Sequence, residues 1–367
     1  MNKLKLGSIT MVGKNFTFTT PNLSLYSTAV QGQLVEPEIQ ITISDSIGKL
    51  NPYTQSGFYN KYTLQGETVI VYDYYENVIF TGFVSRHEAR GNDLILFAQS
   101  PLAFGMARAV NLSTTNLYPS DAIYLAMVNV GLEDYIDKAS FEGAAAYYKK
   151  YPQLLKLETT NQDIKLVDII NTISQLTTTA VCANEYGKIE FKILGSFVPL
   201  PSITLTTNDL LTEPSVGDSL QAFNAYDIQV LNDNIIANNS MDGDSFAQYG
   251  LLKYNYTPSA GVFVSDYGSA KIFGERKMMY NQYPLRKIVL GIKNNILAPI
   301  HNEINLSYVN ESYDGIYTVV SKKYDAYVTE LTLLELPINR ISTYIQDTST
   351  ISTGYGFGVY NTNTWGR

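Results

Sequence analysis

The most reactive side chains in the sequence are one thiol and two imidazoles: Cys182, His87 and His301 are the only residues of their kinds. A cysteine nucleophile needs an imidazole beside its thiolate. Cys182 sits in the apolar run Thr179-Ala180-Val181-Cys182-Ala183, with neither histidine near it along the chain. It is therefore expected to be a buried, inert thiol, with His87 an exposed turn residue and His301 a loop residue after Pro299. Zinc needs a cluster of three or four N, S or O ligands, which these residues do not supply, so no metal or other cofactor is expected. Asp242-Gly243-Asp244 beside Asn238-Asn239 is rich in oxygen donors but lacks the spacing and closing Glu of a calcium loop. It reads as a solvated turn. Asp45 and Asp73 could serve a glycosidase as acid and base only across a cleft that nothing in the sequence builds. Lys149-Lys150, after Ala144-Ala145-Ala146-Tyr147-Tyr148, reads as a helix surface rather than a nucleic-acid contact. The chain is expected not to be an enzyme.

The 367 residues suit two or three domains, and a net charge of −8 gives phosphate backbones no overall attraction. Only 16% of residues are charged while 29 are Tyr, which favours extended structure and surfaces that meet other protein. A single cysteine forms no intrachain disulfide. No signal-peptide pattern follows Met1-Asn2-Lys3-Leu4-Lys5, and no apolar run approaches a membrane span. Synthesis in the cytosol, with neither signal-directed secretion nor membrane insertion, is expected.

These residues must be held by elements that the hydropathy pattern outlines. Glu38-Ile39-Gln40-Ile41-Thr42-Ile43 alternates as a half-buried strand, and the runs at 69–72, 78–80 and 94–97 continue a β-rich region over residues 1–110. Pro119-Ser120-Asp121 starts a helix that Gly131 stops, and Leu166, Ile169, Ile170, Ile173 and Leu176 form the apolar stripe of a second over 164–177. Residues 179–183 and 188–193 then form a hairpin around Asn184-Glu185-Tyr186-Gly187, so 111–195 reads as mixed α and β. Residues 197–214 read as a connection and 232–245 as loop. A strand is expected at 226–230, helices at 268–281 and 284–297, and strands at 315–320 and 327–336. From 341 to 367 the composition turns to Thr, Ser, Gly, Asn and Tyr, a flexible low-complexity tail. Thr81-Gly82-Phe83-Val84-Ser85-Arg86-His87 and Thr318-Val319-Val320-Ser321-Lys322-Lys323 both read as strand, basic turn, strand.

The order of motifs resembles that of bacteriophage tail hub or baseplate hub proteins and of hubs in related phage-like particles. The resemblance rests on Asp45-Ser46-Ile47-Gly48-Lys49-Leu50-Asn51-Pro52, Phe58-Tyr59, Gly66-Glu67-Thr68-Val69-Ile70-Val71 and Phe80-Thr81-Gly82-Phe83-Val84 in the first half. In the second half it rests on Ser269-Ala270-Lys271-Ile272-Phe273-Gly274-Glu275-Arg276, Ile296-Leu297-Ala298-Pro299 and Asp314-Gly315-Ile316-Tyr317-Thr318-Val319. The chain departs from the pattern at Ser100-Pro101, at Phe273 where relatives carry Tyr, and in a polar stretch over 305–313. Contractile baseplate, siphophage and gene-transfer-particle hubs all remain open.

The resemblance implies an α+β, β-rich chain with two small β-barrel-like hub domains, 1–110 and 196–340, around the mixed domain 111–195, and a Gly/Tyr-rich tail over 341–367. It implies a homotrimer in which two related barrels per chain adapt a hexameric tail tube to a trimeric spike, tip or fibre. Tail tube and distal tail proteins would be its partners and DNA a passing cargo, in the tail of a virion. Asn51, Pro52, Gly66, Gly82, Gly274, Arg276 and Gly315 are the structural motif positions, and the Gly82 and Gly315 hairpins would be equivalent. A carbohydrate- or receptor-binding tail-tip module is the alternative from another class, and a tail-associated hydrolase ranks behind both.

Overall fold

The alternation at 38–43 produces strand β5 (Ile39–Ser44), whose three isoleucines are buried while Gln40 is exposed. In this computed structural model the described residues are 3–12, 17–18, 23–26, 39–44, 64–73, 75–90, 93–194, 203–218, 222–231, 235–240, 244–281, 285–308, 313–324 and 328–336. Asn51, Pro52, Asp45 and the tail expected over 341–367 lie outside them.

β5 belongs to a first sheet with β1 (Lys3–Leu6), β2 (Ile9–Val12), β3 (Thr17–Phe18), β6 (Thr68–Tyr72), β7 (Val78–Arg90) and β8 (Asp93–Gln99), in the order β2-β1-β6-β7-β8-β5-β3. β4 (Leu23–Tyr26), between β3 and β5 in sequence, is absent from this sheet and pairs with a strand more than 290 residues later.

A helical layer follows. α1 (Pro101–Met106), β9 (Ser113–Leu117), α2 (Pro119–Asn129), α3 (Lys138–Lys150), β10 (Leu155–Glu158) and α4 (Leu166–Thr177) precede the hairpin β11 (Thr179–Ala183) and β12 (Ile189–Ile193). Every residue of the expected α4 stripe is fully buried. Lys149 and Lys150 lie exposed in the last turn of α3, as a helix surface. Thr178, left-handed at φ 54°, turns α4 directly into β11.

The remaining elements are β13 (Ile203–Thr206), β14 (Ser215–Asp218), β15 (Ala225–Val230), β16 (Ile235–Ser240), α5 (Asp244–Tyr249), β17 (Lys253–Tyr256), β18 (Val262–Val264), α6 (Tyr267–Asn281), β19 (Arg286–Lys293), β20 (Glu303–Ser307), β21 (Gly315–Tyr324) and β22 (Val328–Glu335). The middle sheet runs β16-β15-β18-β10-β9, with β17 also on β15. It therefore joins strands from both sides of the boundary expected at 195/196, and its core runs from Leu102 through Phe191 to Tyr226, Phe273 and Met278.

Three expectations need correction. The helix at 284–297 is strand β19: the run reads on both periods, but Ile288, Leu290 and Ile292 alternate inward, and β14 and β22 hydrogen-bond to its two edges. The loop expected over 232–245 contains β16, which closes a hairpin on β15 and places Asn238 opposite Asp227 and Asn239 opposite Tyr226. The connection over 197–214 contains β13, which runs parallel to β20.

The last sheet, β13-β20-β21-β22-β19-β14 with β4 on β21, repeats the first. Taken in chain order, β1, β3, β5, β6, β7 and β8 occupy the places of β13, β14, β19, β20, β21 and β22. The ladders agree in detail: β7 is bulged between Val84 and Arg86 against β8, and β21 between Val319 and Ser321 against β22. Ile39, Ile41 and Ile43 correspond to Ile288, Leu290 and Ile292. The repeat differs at one edge, where β1 is antiparallel to β6 but β13 is parallel to β20. Gly82 faces Val69 inside β7 while Gly315 opens β21 opposite Leu306, so the two strands correspond but the two glycines sit two positions apart.

Candidate functional site

The chemistry-bearing residues that the sequence keeps apart meet around the β11–β12 hairpin. Alternation along β11 points successive side chains in opposite directions, and all five of its residues are buried. Cys182 Sγ lies 3.7 Å from His301 Nδ1, across 119 residues of sequence. His301 lies in the turn before β20, as expected of a loop residue, but it is buried: its φ is 65°, its N–H donates to the Val319 carbonyl at 2.8 Å, and 3% of its surface is accessible. Burial, helped by the positive charge of Lys192, drives its imidazole down to about 3 and keeps it neutral. An imidazole held this low is a weak proton acceptor for the neighbouring thiol, and Cys182, at 0% exposure, offers no route for substrate.

One turn further on, Glu185 forms a buried salt bridge with Lys322 of β21. Desolvation lowers the Lys322 ammonium against the pull of Glu185, and burial beside Glu185 and Asp73 pushes the Tyr324 phenol well above its ordinary range. Lys192 of β12 lies 3.9 Å from buried Glu303 of β20. Among the described residues no group of three or more His, Cys, Asp or Glu is placed to hold a metal ion. His87 is a strand residue opposite Leu96 in β7, rather than a turn residue.

Two turns beside this cluster share one geometry that the sequence reading missed. Asp73 Oδ1 accepts from the Tyr75 and Asn77 N–H groups, both at 2.8 Å, and Asn184 Oδ1 accepts from those of Tyr186 and Lys188, both at 3.0 Å. Each turn presents a tyrosine to solvent, Tyr75 at 54% and Tyr186 at 64% exposure. The signal was present as Asp or Asn four residues before the turn's end with Tyr between. Further exposed apolar side chains are Phe246, Leu251, Tyr267 and Leu297.

The motif positions do not converge on one site. A Cβ on Gly274 would lie 2.3–2.4 Å from the Tyr226 ring, so α6 meets β15 only because this residue has no side chain. Gly82 is equally tight, 2.3 Å from the Gln99 carbonyl oxygen. Arg276 is buried at 2% exposure, with Nη1 donating to the Tyr147 hydroxyl at 2.9 Å, and thereby ties α6 to α3. Gly66 turns into β6 with its N–H on the Val84 carbonyl, and Gly315 opens β21. These are packing and turn positions.

Neither a family model nor any curated protein matches the sequence. Solved structures do. The 43 kDa tail protein of prophage MuSo2 from Shewanella oneidensis aligns with 92% of this chain and 98% of its own, at a TM-score of 0.56 and 10% identity. The chain has the fold of phage tail proteins. A tail protein from Neisseria meningitidis MC58 (TM-score 0.55, 10% identity, 91% and 96% covered) and prophage tail protein gp18 from Listeria monocytogenes EGD-e (0.52, 12%, 94% and 98%) share the tail-protein fold. No helix among the described residues of the tail-protein fold seen here is long and apolar enough to cross a membrane.

Proposed function

We propose that the chain is a structural hub of a phage-type tail or baseplate, located in the virion tail and working without a catalytic site. The observation that carries this reading is the internal repeat. A fold shared over 92% of its length with a tail protein contains two sheets of the same strand order and the same bulge, so one chain offers two similar faces. Three such chains around an axis present six similar faces, which suits a junction between a hexameric tube and a trimeric tip. The ring would be a homotrimer, its neighbours tail tube and distal tail proteins on one side and a spike, tip or fibre on the other. DNA would pass through it as cargo, and the net charge of −8 favours passage over adhesion.

In this reading the functional units are the two repeated sheets, closed as barrel-like domains, with the helical layer of α2–α4, α6 and the middle sheet between them. The Gly/Tyr-rich stretch over 341–367 would be a low-complexity tail, free or docked on a neighbour. Light scattering of the purified chain, together with a low-resolution map of the particle that counts copies around the axis, tests it. Three copies on the axis are expected. A monomer both free and in the particle, or a peripheral position with glycan affinity, overturns it in favour of a receptor-binding module.

A further inference from the structure

The hairpin β11–β12 belongs to three cores at once. Val181, Ala183, Ile189, Phe191 and Ile193 pack in the middle core. Cys182 packs with the first sheet, where it is joined by Ile300 from the turn before β20 and Tyr324 of β21. Ala180, with Leu194 just after β12, packs with Val320 and Leu334 of the last sheet and Leu285 just before β19. The salt bridge between Glu185 and Lys322 and the contact of Cys182 with His301 fasten the same hairpin to the last sheet by buried polar groups. On its outer side, β12 takes the Asp137 N–H on the Ile189 carbonyl, and the Phe191 N–H donates to the Ser140 hydroxyl.

A second tie is independent of the hairpin. β4 leaves the first sheet and pairs antiparallel with β21, Leu23 opposite Tyr324 through Tyr26 opposite Ser321, before the chain returns to the first sheet at β5. Both ties land on the same half of β21. Hinges occur where few buried contacts cross between bodies and a few linker residues absorb the motion. Here a four-residue strand ladder, a buried ion pair and a shared apolar core all cross.

We propose that the first and last sheets of one chain move as a single body, so that any widening of the assembled ring occurs by displacement of chains against one another and not by a hinge within a chain. The second clause rests on the hub reading above; the first does not. A hub that stays rigid within each chain keeps its two similar faces in a fixed relation while the channel changes width.

Native-state hydrogen exchange on the isolated full chain tests the first clause. The amides of β4, β11, β12 and β21 are expected to open with the same protection, within about tenfold, as those of β8 and β22 at the centres of the two sheets. Exchange in β4 or β11–β12 a hundredfold faster than in β22 overturns the proposal, because it would reveal an opening between the sheets short of global unfolding. The second clause is tested by Ser24→Cys with Lys323→Cys, which face each other across β4 and β21. With the disulfide closed, particles carrying this variant are expected to release DNA within twofold of the wild-type rate. A block that reductant relieves overturns the proposal. Absence of the chain from tail particles overturns the hub reading, and the exchange experiment still decides the single-body claim.

Discussion

Replacing Lys322 by Met keeps the aliphatic stem in place and deletes the one ammonium paired with Glu185. Both partners of this bridge are nearly dry, with side-chain exposures of 3% and 7%, so the carboxylate left behind cannot recover its hydration. Leaving such a group charged costs about 3–5 kcal/mol. Lys322→Met is therefore expected to lose about 3–5 kcal/mol at pH 7. Urea unfolding followed by circular dichroism measures it. In a double-mutant cycle, adding Glu185→Met should restore at least half of the stability, because two apolar groups need no pairing. A loss below 0.5 kcal/mol, or a double variant no more stable than Lys322→Met, would refute the argument that the pair is a desolvated bridge.

Other expectations follow from single contacts. Gly274→Ala forces a methyl onto the Tyr226 ring and should lose about 1–2 kcal/mol, overpacking outweighing the gain in helix propensity; a stabilised variant would show that α6 can shift off β15. His301 is held at about 3 in the folded chain against an ordinary 6.5. Its contribution is complete above pH 6.5 and is lost as pH falls toward 3, since the unfolded chain binds the proton first. His301→Gln should thus flatten the acid limb of the stability curve, and a limb of unchanged slope in urea titrations between pH 6.5 and 4.5 would contradict this. Cys182, fully buried, should resist a thiol reagent in the native chain and react once per chain in denaturant; rapid native labelling would place it at the surface.

Local pattern carried the first half of the fold well. The isoleucine alternation of β5, the stripe of α4 and the turn at Asn184–Gly187 all depend on residues within a dozen positions of one another, and each appears where the periodicity places it. Where two periods fit the same run, as at Leu285–Ile296, the sequence could not choose. The choice fell to β14 and β22, which supply hydrogen bonds on both sides of β19. The candidate junction was hidden for a different reason. Cys182 and His301 look unrelated because the fold brings them together over 119 residues, and Lys322 looks like part of an exposed basic turn until β21 carries it inward beside Glu185. Leu23–Tyr26 carries no mark of the sheet it will join, since a short apolar strand fits either edge equally.

The repeat is the clearest case of structure outrunning sequence. Between its halves, what persists is which face of a strand is apolar and where a ladder slips by one residue: Ile41 and Leu290 fill the same place. Gly82 and Tyr317, by contrast, share a register with no chemistry in common. A strand needs only alternation to be buried on one side, so two halves can diverge almost freely in identity while the order of strands and the bulge survive. The bulge bends each long strand and shifts its register by one residue while its second half keeps pairing with β8 or β22. In β21 that half receives β4 and carries the buried lysine, so the slip between Val319 and Ser321 sets which face of the strand Lys322 occupies. Removing the slip by deleting Val320 would turn Lys322 to the opposite face and part it from Glu185. Loss of cooperative unfolding well beyond the single Lys322→Met effect is the expected result, and a deletion variant as stable as Lys322→Met would show that the bulge plays no part in joining the two sheets.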